Sequence, residues 1–132
     1  MPNFTLKTLD GKIFTNNDLK NDKNSLFIFF DPHCDICKIE GKEFSEKAEL
    51  FHSTHLYFIS SVSKEEILEF QNENNLTQTN ITFLQDDDSF NSHYAIPIVP
   101  FMCLYNNEYK LINIYKGGVN IDLILKDAER IN

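Results

Sequence analysis

Leu26-Phe27-Ile28-Phe29-Phe30-Asp31-Pro32-His33-Cys34-Asp35-Ile36-Cys37 is the stretch on which the fold turns. Five apolar residues in a row predict a strand buried on both faces, the kind found in parallel sheets. The two cysteines follow it directly, two residues apart, where a helix is expected to begin. A helix N-terminus offers unpaired N–H groups and the positive end of the dipole, and both favour a thiolate. This spacing lets two sulfurs close into a disulfide after a small rotation. Structural zinc would need two further ligands, and no second Cys-x-x-Cys is present. The pair therefore reads as a redox dithiol at Cys34 and Cys37.

Before this stretch, Phe4, Leu6 and Ile13 flank Asp10-Gly11 and predict a small hairpin. Asn16 to Lys20 reads as a short capped helical turn. After it, a helix is expected from Cys34 to about His52, with Cys37, Phe44, Ala48 and Phe51 on one side. Gly41 inside that helix marks a bend or a close approach. Leu56 to Ile59 is the next strand, and Ser63-Lys64-Glu65-Glu66 is a capping box opening a second helix that stops at Asn74-Asn75. Ile81 to Leu84 forms a short strand, Asp86 to Asp88 a solvated loop, and Phe90 to Tyr94 a helical turn. Strands at Phe101–Tyr105 and Tyr109–Tyr115 are joined by a tight turn at Asn106-Asn107, and Asn120 to Ile131 closes the chain as an amphipathic helix. Strands alternating with helices call for parallel crossovers, and the late hairpin adds antiparallel strands. The expectation is one domain over residues 1–132.

Composition narrows the function. The 132 residues carry a net charge of −8 and a single arginine, Arg130, so nucleic acid is not an expected partner. Three cysteines are too few for a disulfide-framed mini-domain, and no apolar run is long enough to span a membrane. No signal peptide is visible, because Pro2-Asn3-Phe4 leads straight into a strand pattern. His52, His55 and His93 have no ligand-like spacing, so no metal site is expected, and no cofactor either. Cys103 falls inside the apolar strand and reads as a small buried hydrophobe.

A Cys-x-x-Cys after the first core strand, with Val99-Pro100 before the penultimate strand, resembles the thioredoxin fold. The opening Phe4-Thr5-Leu6 followed by Leu9-Asp10-Gly11-Lys12 is similar to the hairpin of the TlpA-like branch of bacterial thiol-disulfide oxidoreductases. That branch lies within the alkyl hydroperoxide reductase/thiol-specific antioxidant superfamily. The resemblance implies a three-layer α/β/α sandwich with a mixed central sheet and an N-terminal β-hairpin. It implies Cys34 as the attacking cysteine, Cys37 as the resolving one, and Glu40 as a group that moves protons. Pro100 matches the cis-proline beside the dithiol, so Val99, Pro100 and His33 would border the substrate groove. Three positions depart from the pattern. His33 stands where thioredoxins have Trp, Asp35-Ile36 lacks the common proline, and Ile28 replaces a buried aspartate.

The leading expectation is a monomeric thiol-disulfide oxidoreductase. It would reduce protein disulfides and be recharged by an upstream dithiol donor. An extracytoplasmic or periplasmic setting is favoured, with a leader or anchor removed. The reductant direction follows from Asp35, whose charge inside the dithiol loop disfavours a Cys34 thiolate and hence the reduced form. One alternative is a peroxiredoxin, although Asp31 stands where that group places a Thr and the only arginine lies in the last helix. The other is a non-enzymatic copper-binding module using the dithiol as ligand.

Overall fold

The apolar run forms an interior strand of a seven-stranded sheet in a computed structural model that describes residues 1–131. Asn132, the last residue of the expected domain, lies outside the described residues. The strands are β1 (Thr5–Thr8), β2 (Ile13–Thr15), β3 (Asn24–Phe29), β4 (Thr54–Ser60), β5 (Ile81–Gln85), β6 (Phe101–Tyr105) and β7 (Leu111–Lys116). Their order across the sheet is β2-β1-β5-β4-β3-β6-β7. β3 runs parallel to β4, with Leu26 opposite Leu56, and antiparallel to β6, with Leu26 opposite Leu104.

Among the described residues four α-helices cover this sheet: α1 (Asp35–Lys47), α2 (Lys64–Glu73), α3 (Ser89–His93) and α4 (Ile121–Glu129). The chain steps from β3 to β4 to β5 in one direction. Right-handed crossovers therefore place α1 and α2 on the same face. There Leu26, Ile28 and Phe30 pack with Phe44 of α1, Phe70 of α2 and Ile124 of α4. Alternation sends Phe27 and Phe29 to the opposite face, against Phe4, Leu19 and Phe90 of α3. That layer is thin, since α3 has only five residues.

Two boundaries and the burial of one loop differ from what the sequence predicts. α1 ends at Lys47 and passes into a 3₁₀ turn at Ala48–Leu50. The Asn80 amide donates to the carbonyls of Ala48 and Phe51, so a distant side chain satisfies groups that a longer helix would have paired. β7 starts at Leu111 instead of Tyr109, because Asn106 Oδ1 accepts the amides of Glu108 and Lys110 and Tyr109 adopts φ +63°. The acidic loop is only partly solvated. Asp86 is buried and accepts the amides of Phe90 and Asn91, capping the start of α3.

Candidate active site

Strand β3 delivers the dithiol and a local turn fixes it. Asp31 Oδ1 accepts the His33 amide at 2.9 Å, and the Asp31 carbonyl accepts the Cys34 amide at 3.0 Å. Cys34 is thereby held extended at the N-cap of α1, where Ser or Asp is usual, and its Sγ accepts the Cys37 amide at 3.3 Å. An N–H that the helix leaves unpaired is aimed at the sulfur expected to carry negative charge. The Cys34 thiol also lies 3.8 Å from the Val99 carbonyl, to which it can donate. Both cysteines are free thiols. Cys34 is half-buried, whereas Cys37 is buried and its thiol is pushed up to about 12 by desolvation. One sulfur is half-buried at the helix start, and the other is held protonated behind it.

Glu40 sits one turn beyond Cys37 and is only 5 % exposed. Its Oε1 accepts the Val119 amide at 3.1 Å, while its Oε2 is buried without a partner. Burial pushes the carboxyl up to about 7, against the opposing hydrogen bond from Val119. Its charge is among the influences that raise Cys37, which makes the two electrostatic neighbours. A carboxyl that exchanges its proton near neutral pH beside a buried thiol has the properties of a proton acceptor. The loop carrying Val119 is fixed from both sides. Gly117 donates to the Pro100 carbonyl at 2.8 Å, and Gly118 lies against Ile36, where an added Cβ would meet Cγ2 at 3.1 Å. Pro100 is buried at the start of β6, after a cis Val99–Pro100 peptide. Cys34, Cys37, Glu40, Val99 and Pro100 are thus gathered at one end of the sheet.

The AhpC/TSA family profile matches residues 1–117. The chain belongs to the AhpC/TSA family. No curated protein sequence matches it. Among solved structures it is similar to a secreted Mycobacterium tuberculosis disulfide oxidoreductase homologous to E. coli DsbE, at 21% identity and a TM-score of 0.82. That match covers 97% of this chain and 96% of the other. StoA from Bacillus subtilis gives 19% identity and a TM-score of 0.75, with 96% of each chain covered. The peroxidoxin BcpB from M. tuberculosis gives 13% identity and a TM-score of 0.85, covering 100% of this chain and 95% of that one. These likenesses show the thioredoxin-like fold, and the expected α/β/α arrangement around a mixed sheet holds for this AhpC/TSA protein.

Other residues of this family member took places that the sequence did not announce. His33 Nε2 lies 2.8 Å from Glu66 Oε2 on α2, so its ring is engaged away from the dithiol. The sequence assigned Glu66 only to a capping box. Its amide does bond Ser63 Oγ, but its carboxylate serves Ser63 and His33, and both hold its pKa below the usual carboxylate range. Nothing local could have paired residues 33 apart. Cys103 is fully buried in β6 and pushed up to about 12 by burial, as an unreactive hydrophobe should be. Among the described residues no cluster of three or more His, Cys, Asp or Glu could hold a metal ion.

Proposed function

We propose that this AhpC/TSA protein is a reductant of protein disulfides. The observation that carries the reading is the asymmetry of its dithiol: a half-buried Cys34 at the helix N-cap and a buried Cys37 held protonated. Cys34 thiolate attacks one sulfur of the substrate disulfide, that bond breaks, and a substrate thiolate leaves as a mixed disulfide forms. Cys37 then gives its proton to Glu40 and attacks Cys34 Sγ. The mixed disulfide breaks, the second substrate thiol departs, and two electrons have passed from protein to substrate. An upstream dithiol restores Cys34 and Cys37. Val99 and Pro100 border the face on which substrate lies, with His33 at its edge. The similar M. tuberculosis oxidoreductase is described as secreted, which supports an extracytoplasmic setting for this chain.

An insulin-reduction assay, run beside equilibration with glutathione buffers, tests the proposal. Insulin reduction and a potential nearer the thioredoxin value (about −270 mV) than the DsbA value (about −120 mV) are expected. Absence of disulfide reduction, with tight copper(I) binding by reduced protein, would favour the copper module. Peroxide-driven turnover would favour the peroxidase.

A further inference from the structure

A cavity of about 190 Å³ opens beside the dithiol and shares Val99 and Asp31 with it. Its volume equals roughly six waters' share of the liquid, room for one long side chain. Phe29, Phe30, Ile59 and Val62 give it an apolar lining, while Asp31 and Asp88 supply carboxylates and no Lys or Arg lines it. Asp31 uses Oδ1 to accept the His33 backbone amide, and Asp88 uses Oδ1 to accept Ser61 Oγ and the Asn91 side-chain amide. Among the described residues, the second oxygen of each has no partner. Asp86, the third carboxylate there, is already occupied by the amides of Phe90 and Asn91.

An apolar lining with two uncompensated carboxylates suits an aliphatic stem ending in a cation. Two free oxygens without further ligands suit a metal ion poorly. The position ties the cavity to the reaction, because the Val99 carbonyl lies 3.8 Å from Cys34 Sγ. Ile36 and Ile98, 44% and 51% exposed, offer apolar surface at the same end of the molecule. We infer that this cavity is a specificity subsite for a Lys or Arg side chain flanking the attacked cysteine of the substrate. The inference rests on the disulfide-reductase reading and adds to it a preference for substrates whose disulfide lies in a basic segment.

The test uses reduced full-length protein and single-cysteine peptides blocked as mixed disulfides with 2-mercaptoethanol. The neighbouring residue is Arg, Lys, Gln or Glu, and release of peptide thiol is followed. The Arg and Lys peptides should react about fivefold faster than the Gln peptide, the upper end of what one exposed ion pair returns, and the Glu peptide more slowly. The Arg/Gln ratio should fall towards one in Asp88→Asn, and asparagine tolerates the φ of +80° at that position. A ratio cancels any general loss of activity in this variant. About 0.5 M salt should also shrink it. Glu69→Gln, in the separate cleft beside His33, should leave the ratio intact. Reduction of the Gln peptide without an Arg advantage overturns the subsite, as does an advantage that survives Asp88→Asn or collapses equally in Glu69→Gln. Failure to reduce any peptide overturns the disulfide-reductase reading itself.

Discussion

Single residues divide the chemistry between them, and each division can be measured. Cys34 should be alkylated near neutral pH well before Cys37 or Cys103, since burial holds the latter two thiols at about 12. Mass spectrometry of briefly alkylated, reduced protein reads this directly, and earlier labelling of Cys103 would reverse the assignment. Glu40→Gln keeps an oxygen for the Val119 amide but removes the carboxylate proposed to take the Cys37 proton, so resolution of the mixed disulfide should slow most above pH 7. Single-turnover kinetics from pH 6 to 9 decide it; an unchanged profile reduces Glu40 to a buried polar residue. Asp35, exposed in the first turn of α1, opposes negative charge on its neighbour Cys34. Asp35→Asn should therefore stabilise the reduced state and raise the potential by a few tens of millivolts, where 30 mV corresponds to about 1.4 kcal/mol. A shift towards more negative potential would contradict this electrostatic account.

At the scale of elements, the packing of α1 on α2 depends on a missing side chain. A Cβ at Gly41 would stand 3.0 Å from Phe70 Cζ and 3.3 Å from Asn74 Cγ. Phe70 cannot yield easily, because it is buried with its ring 4.5 Å from that of Phe30, at the end of the run leading to the dithiol. Asn74 is held by donating its side-chain amide to the Phe70 carbonyl at 2.9 Å. Gly41→Ala gains about 1 kcal/mol of helix propensity yet overpacks a closed contact, which typically costs about 1–3 kcal/mol. A lower urea midpoint with unchanged m-value is expected. A midpoint above wild type would mean that the two helices separate without cost.

Across the whole molecule, two buried titratable groups oppose one another in their effect on stability. His55 is buried, its ring bonds Thr82 Oγ1 at 2.7 Å, and burial pushes it down to about 4, with Lys20 and Lys23 adding to the effect. Unfolded His titrates near about 6.5, so the unfolded chain binds more protons between these values and stability falls as pH drops through that window. Glu40 does the reverse. Its folded value of about 7 lies above the ordinary carboxylate value, so the folded chain binds more protons and stability rises as pH drops from 7 towards 4.5. In the wild type the two trends largely offset between about pH 4.5 and 6.5. Glu40→Gln should be more stable than wild type at pH 8 by about 1–3 kcal/mol and should then lose stability on acidification to pH 4. Denaturant titrations at several pH values measure this, and parallel curves for the two proteins would show that Glu40 is not desolvated in solution.

The amino-acid sequence by itself determined the strand into the dithiol, the opening hairpin, the alternation of helices with strands and the burial of Cys103. These follow from periodicity, turn residues and spacing, which act over a few positions of the chain. Glu40 was named through the resemblance to the TlpA-like branch, and its place three residues after Cys37 puts the two on one helical stripe. Tertiary structure alone decided that Glu40 is desolvated and bound to Val119, that His33 pairs with Glu66, and that Asp31 and Asp88 line one cavity beside Val99. It also ended α1 early through Asn80 and buried Asp86 within a loop that composition marked as solvated. Each of these depends on groups far apart in sequence, and desolvation is a property of the assembled surroundings that no short stretch of chain carries.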